Sequence, residues 1–225
     1  MIAATALAVA AVPPAARAQA TTDSLLDRAA RAVTAARTMT ASFEQSLTNP
    51  DIRQTTVSRG TFTQQGPARF AFRFTEPNGD AIVADGAALW VYLPSSARGQ
   101  VLKLPIAQGR QLDLITQLLT APRTSYAIAN APGETLDGNG VAVVQLTPKL
   151  ANAPFVRATL WLDTATAVVR QIEATEVSGL IRRIHFRDIR VDVPVAPGTL
   201  AFAVPAGVRV VDAGGLLGGR PPLTR

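Results

Sequence analysis

Few side chains in this sequence are able to carry out covalent chemistry, and their types and spacing restrict the reactions open to it. There is one histidine, His185, and no cysteine. His185 lies between Ile184 and Phe186 in a segment that alternates as a strand does, a setting in which an imidazole packs rather than reacts. A Ser-His-Asp arrangement would need that same histidine, and no serine stands in a G-x-S-x-G elbow. With no thiol, no second imidazole and no clustered carboxylates, the sequence offers no metal site. Phosphate-cradling glycine loops are missing as well. Among the carboxylates, Asp85 is accounted for by the turn it shares with Gly86, and Glu76 precedes a proline. These absences predict a protein that is not an enzyme and that uses no cofactor and no metal.

Charge and the chain ends narrow the setting. The net charge of +6 is spread along the chain, and only Arg182-Arg183 are adjacent basic residues. A nucleic-acid surface would show a clustered basic patch with interleaved aromatics, so no nucleic-acid partner is expected. The basic balance gives only a general attraction to anionic membrane surfaces. Residues 2–12 form a short apolar run, followed by Pro13-Pro14 and then Ala16-Arg17-Ala18-Gln19-Ala20. This predicts a signal peptide over residues 1–20, cleaved after Ala18 or Ala20, although no Lys or Arg precedes the apolar run. The run is too short to span a bilayer. Absence of cysteine also removes the acylation site of a bacterial lipoprotein, so the mature protein is expected to be a monomer free in solution. Residues 21–213 fit one domain with a sizeable core. Residues 214–225 hold four Gly and two Pro in twelve positions and are expected to form a disordered tail.

What remains is apolar surface and the elements that display it. Thr22 or Asp23 is placed to cap a first helix, with Leu25, Leu26, Ala29, Ala30 and Val33 along one face. From Thr40 the period becomes two: Ala41, Phe43, Gln45 and Leu47 alternate with Ser42, Glu44 and Ser46. A strand follows over 56–64, and in Arg69-Phe70-Ala71-Phe72-Arg73-Phe74 three phenylalanines share a face opposite two arginines. Asp80 to Leu93 reads as a hairpin about Asp85-Gly86. Another strand is expected over 100–104, and a short helix over Arg110–Leu119 with Leu112, Ile115, Leu118 and Leu119 on its apolar face. Further strands are expected near 125–129, 141–147, 157–163, 168–175, 180–191 and 200–204. About ten or eleven strands with two helices imply a mainly β fold of one large, strongly curved antiparallel sheet, whose concave apolar face must be covered. Two short helices cover only part of it, so either the sheet closes on itself or the concavity takes an apolar ligand.

Between residues 40 and 94 the chain resembles the LolA family, the periplasmic carriers of outer-membrane lipoproteins. The resemblance is carried by Thr40-Ala41-Ser42-Phe43-Glu44-Gln45, Gly60, Pro67, Phe70-Ala71-Phe72, Glu76-Pro77, Ile82-Val83-Ala84-Asp85-Gly86 and Leu89-Trp90-Val91-Tyr92. Weaker echoes follow at Gln100-Val101, Leu146-Thr147-Pro148, Leu160-Trp161-Leu162-Asp163 and Phe202–Val208. The order and spacing of these pieces, over nearly the whole mature chain, are more specific than any one of them.

This resemblance implies an unclosed β-barrel of about eleven strands with helices as a lid over an apolar cavity. It also implies a ligand and partners: the acyl chains of lipoproteins, released by an inner-membrane ABC transporter and passed to an outer-membrane acceptor such as LolB. On that reading Phe43, Phe62, Phe70, Phe72, Ile82, Leu89 and Val91 belong to the cavity wall, and Leu112, Ile115, Leu118 and Leu119 to the lid. Trp90 and Tyr92 alternate with Leu89 and Val91 and are expected on the other side, under the first helix. Family members commonly carry an arginine just before the conserved proline to hold the lid. This chain has Gly66 there, with Arg69 as the candidate stand-in. That departure keeps open an alternative, a binding module of the same fold for free lipid or glycolipid, or an envelope sensor.

Overall fold

The computed structural model describes residues 14–106, 113–151 and 153–212. A first helix α1 (Pro14–Ala35) is followed by β1 (Thr38–Asn49), β2 (Gln54–Gln65), β3 (Arg69–Glu76), β4 (Asn78–Asp85), β5 (Ala88–Tyr92) and β6 (Gln100–Pro105). Two short helices, α2 (Leu114–Leu119) and α3 (Pro122–Ser125), lead into β7 (Tyr126–Leu136), β8 (Asn139–Pro148), β9 (Phe155–Asp163), β10 (Val169–Glu176), β11 (Ile181–Val191) and β12 (Arg209–Asp212). The helix α1 begins before both expected cleavage positions, so Ala18 and Ala20 are helical. Residues 1–13 of the expected signal peptide, and the expected tail, lie outside the described residues.

The twelve strands among the described residues belong to one sheet, in the order β12-β6-β5-β4-β3-β2-β1-β11-β10-β9-β8-β7. Every neighbouring pair is antiparallel except β12 with β6, which is parallel. The end strands β7 and β12 each have a partner on one side only, so the sheet curls without closing. This is the mainly β architecture expected from the alternating pattern and the unclosed form that the family resemblance implies, with twelve strands among the described residues in place of about eleven.

Alternation sets the two faces. Along β1, Met39, Ala41, Phe43 and Gln45 are buried, while Thr40, Ser42, Glu44 and Ser46 are less so. Register then carries each inward residue to its neighbours. Phe62 sits opposite Phe72, Phe72 opposite Ile82, and Ile82 opposite Val91. One row along, Phe186 is opposite Phe43, Phe43 opposite Gly60, and Gly60 opposite Phe74. A Cβ on Gly60 would lie 2.1 Å from the Arg73 carbonyl oxygen, so only glycine permits the close approach of β2 and β3 at this irregular step. The side chain missing at Gly60 lets the rings of Phe43 and Phe74 meet edge to face, with centroids 5.2 Å apart. The helices α1 and α2 cover this concave face, burying Leu25, Leu26, Ala29, Ile115, Leu118 and Leu119 in the same apolar cluster.

Two expectations are corrected on the outer face. Residues 200–204 are not a strand. After β11 the chain crosses the outside of β3–β5 as a strap, burying Leu200 against Ala71, Ala81 and Val83. The Arg73 guanidinium donates to the Thr199 and Ala201 carbonyl oxygens at 3.0 and 2.8 Å, giving the strap backbone partners that a neighbouring strand would otherwise supply. Leu200 and Phe202 alternate because the strap lies on a pleated surface, and the twelfth strand is the later segment Arg209–Asp212. Trp90 and Tyr92 do face outward, but they pack on Phe202 of the strap, at 5.5 and 5.8 Å between centroids, instead of lying under the first helix.

Candidate functional site

The concave face gathers the side chains singled out as a cavity wall. Phe43, Phe62, Phe70, Phe72 and Leu89 are buried in one cluster, with Ile82 and Val91 packed against it. Ile115, Leu118 and Leu119 of α2 join the same cluster from above, and Leu112 lies outside the described residues. Phenylalanine rings interlock along this wall, Phe43 on Phe72 at 5.2 Å and Phe62 on Phe72 at 4.7 Å. Dense packing closes most of the concavity; Phe62, Leu89 and Leu118 are at most 1% exposed.

Among the described residues, besides an open groove of about 560 Å³ along the outside of the helices, next to Ala30, Arg31 and Leu119, two spaces border the covered concave face. The larger, about 240 Å³, lies between Phe72, Phe74 and Ile82 on one side and Ala174 and Ile184 on the other, with Leu114 of α2 and Phe155 also lining it. Of the expected wall residues, Phe72 and Ile82 border this space. Its charged lining residues, Arg182 and Glu176, are partly exposed and mark the side where it meets solvent. The smaller space, about 50 Å³, lies between α1, α2 and the sheet, bordered by Ala29, Val33, Met39, Gln64, Gly66 and Ile115.

The helices are held over the sheet by a few polar ties. Asp113 caps α2: its Oδ1 accepts the Thr116 backbone N–H at 3.1 Å. Its Oδ2 accepts from Gln64 Nε2 at 3.1 Å, and Gln64 Nε2 also donates to Thr116 Oγ1 at 2.9 Å. Asp113 is only 2% exposed. Burial pushes its carboxyl above the ordinary carboxylate range, and the hydrogen bonds from Thr116 and Ile115 only partly oppose this. Arg123 of α3 forms a two-pronged ion pair with Asp27 of α1 at 3.0 and 3.2 Å, and Arg28 donates to the Ala165 carbonyl oxygen in the β9–β10 turn. The Tyr126 hydroxyl donates to the Gln117 carbonyl oxygen at 3.2 Å, tying the far end of α2 to β7.

The position before Pro67 is empty of side chain. Gly66 has φ +59° and donates its N–H to the Arg37 carbonyl oxygen, and a Cβ there would meet nothing within 4 Å. Arg69, the expected stand-in, is on the opposite face of the sheet from Phe70 and the helices. It donates to Gln65 Oε1 at 2.9 Å, and its methylenes run alongside Gly86. The polar link from this part of the sheet to α2 comes from Gln64 instead. The helix expected over Arg110–Leu119 placed Asp113 inside it, whereas the described helix begins at Leu114, so the capping role of Asp113 was hidden in the sequence. The sole histidine is also on the outer face, with His185 Nε2 2.8 Å from Asp137 Oδ2, away from the cavity.

Comparison with known proteins agrees with this arrangement. The family described as outer membrane lipoprotein carrier protein LolA matches residues 34–203. An outer-membrane lipoprotein carrier protein of Methylibium petroleiphilum is 26% identical over 176 residues, covering 78% of this chain and 83% of that protein. Among solved structures, an uncharacterized conserved protein of Thermus thermophilus aligns with a TM-score of 0.54 at 12% identity, over 85% of this chain and 99% of that one. The Mycobacterium tuberculosis lipoprotein LppX aligns with a TM-score of 0.50 at 12% identity, over 77% and 98%. Those two likenesses concern the fold. With a curled open sheet, a phenylalanine-lined concavity under helices and a family match across three quarters of its length, the chain belongs to the LolA family.

Proposed function

We propose that this protein is a periplasmic carrier that binds the acyl chains of lipoproteins in its apolar cavity and shuttles them from the inner to the outer membrane. An inner-membrane ABC transporter supplies the cargo, and an outer-membrane acceptor, LolB-like or of another kind, receives it. The carrier acts as a monomer, without catalysis or a cofactor. The observation that supports this most is the apolar space of about 240 Å³ left between a phenylalanine wall and a helical lid. That space is smaller than the ~300–1,000 Å³ usual for small-molecule pockets, so a multiply acylated cargo enters only as the lid shifts.

The energetics suit a carrier that consumes no ATP itself. Burying about ten methylenes of an acyl chain is worth ~8 kcal/mol at ~0.8 kcal/mol each. Uncovering Ile115, Leu118 and Leu119, each at most 2% exposed, costs roughly 5–9 kcal/mol at ~1.5–3 kcal/mol per side chain. Lid and cargo compete for the same surface on nearly equal terms, which leaves both loading and release accessible.

Native mass spectrometry of the mature protein from a detergent-free periplasmic extract tests this. Acylated lipoprotein bound one to one is the expected result. Phospholipid or glycolipid alone would assign the cavity to free lipid, and an empty protein that also refuses added lipoprotein would remove the carrier function while leaving the fold intact.

A further inference from the structure

A charged side chain projects from the apolar wall. Register places Arg182 of β11 beside Leu47 of β1 and Ala174 of β10, and Ala174 in turn beside Ala158 of β9. The next residue, Arg183, points to the outer face and pairs there with Glu173. Arg182 and its partner Glu176 border the acyl cavity with side chains 27% and 31% exposed, at its solvent side. A guanidinium in an apolar wall is costly unless its donors are matched. Here the match is incomplete, since Arg182 Nε and Nη2 both donate to the single oxygen Glu176 Oε1, at 3.3 and 3.0 Å. Two of five N–H donors are spent on one acceptor, and the fork-on-fork geometry that makes Arg–carboxylate pairs strong is not formed.

We infer that Arg182 and Glu176 form a headgroup-reading site at the cavity mouth, which accepts the uncharged carbonyl oxygens of an acylated cargo and rejects the phosphate of membrane phospholipid. The inference rests on the carrier reading. An acyl chain lying against Phe72, Phe74 and Ile184 brings the ester or amide at its end to the mouth, within reach of the donors that Glu176 does not use. Arg182 alone would prefer a phosphate, whose oxygen pair matches the guanidinium fork. Glu176 reverses that preference, because its carboxylate occupies one side of the fork and repels a second anion, while a neutral carbonyl suffers no such repulsion. A carrier working between two phospholipid membranes needs this discrimination, since acyl chains by themselves look alike to an apolar wall.

The test is displacement of an environment-sensitive fluorescent probe from the full chain by two competitors. One is a synthetic triacylated cysteine lipopeptide; the other is a sixteen-carbon lysophosphatidylglycerol. The intact protein is expected to prefer the lipopeptide. Glu176→Gln, nearly isosteric, should raise affinity for the lysophospholipid about tenfold relative to the lipopeptide. Arg182→Gln should weaken the lipopeptide about tenfold. Unchanged selectivity in Glu176→Gln overturns the inference even if Arg182→Gln fails to fold, and the acyl cavity then stands without a headgroup site. If the intact protein binds neither competitor, the carrier reading fails and this inference fails with it.

Discussion

Replacing Asp113 tests how the lid is anchored, because two substitutions there separate hydrogen bonding from charge. Asp113→Ala removes the acceptor for the Thr116 N–H and one partner of the Gln64 carboxamide. A lost helix cap costs about 1 kcal/mol, and a buried amide N–H left unpaired about 1–3 kcal/mol. The sum is at most ~4 kcal/mol, reduced by the ionisation cost that leaves with the carboxyl, and corresponds to a fall in Tm of up to ~15 °C for a domain of this size. Asp113→Asn keeps the capping oxygen. Turning over the Gln64 carboxamide lets its oxygen accept from both the new amide and the Thr116 hydroxyl. Burial raises the folded-state pKa of Asp113 above its unfolded value. The stability tied to the protonated form is therefore complete below the unfolded pKa of ~3.9 and lost as pH rises through the folded one. At pH 7 the Asn variant escapes that loss and should melt at or above the wild-type temperature, with its advantage shrinking as the pH falls toward ~4. Thermal unfolding of the three proteins across this pH range is the assay. An Asn variant as unstable at neutral pH as the Ala variant would refute the argument, since it would mean that the charged carboxylate is what holds α2.

Other perturbations have defined outcomes. Phe72→Glu and Leu118→Glu each place a charge at the interface of wall and lid and should abolish uptake of lipoprotein while circular dichroism stays that of the folded sheet; normal uptake by both would exclude this cavity. Asp27→Ala removes an ion pair whose side chains are 40% and 47% exposed, so stability should change by less than ~1 kcal/mol, while hydrogen exchange in α3 quickens. Gly60→Ala must push β2 from the Arg73 carbonyl and should destabilise by more than ~2 kcal/mol in urea unfolding. Arg73→Ala should cost ~2–3 kcal/mol through the lost charged hydrogen bonds and expose residues 193–208 to proteolysis.

Legibility from sequence follows how local each signal is. The alternation of Phe70, Phe72 and Phe74 with Arg69, Ala71 and Arg73 fixes which side of β3 faces the main apolar cluster without knowledge of its neighbours. Asp85-Gly86 is legible for the same reason. The Asp85 carboxyl accepts the N–H groups of Ala87 and Ala88 and the Trp90 indole N–H, each at 2.8 Å, within five residues of itself. Burial alone would raise that carboxyl, and these hydrogen bonds more than offset it, holding it below the ordinary range. Contacts across long stretches of chain are another matter. Leu200, Phe202 and Val204 show a period of two whether they pair as a strand or lie as a strap, and the guanidinium that decides between them comes from residue 73. The tie between Gln64 and Asp113 joins a strand to a helix 49 residues away, and nothing in the spacing near Gln64 marks it. Family expectation pointed to Arg69 in place of the absent arginine, but in β3 the odd-numbered residues face away from the lid.

The gap between β7 and β12 has a mechanical consequence. A closed barrel has a girth fixed by its strand number and stagger, and it widens only by breaking a ladder of hydrogen bonds. Here the two edges are not paired to each other, so the wall can uncurl slightly with every strand still bonded to its neighbours. A space of about 240 Å³ is then a resting volume, and the compliance of the sheet sets how far it can widen.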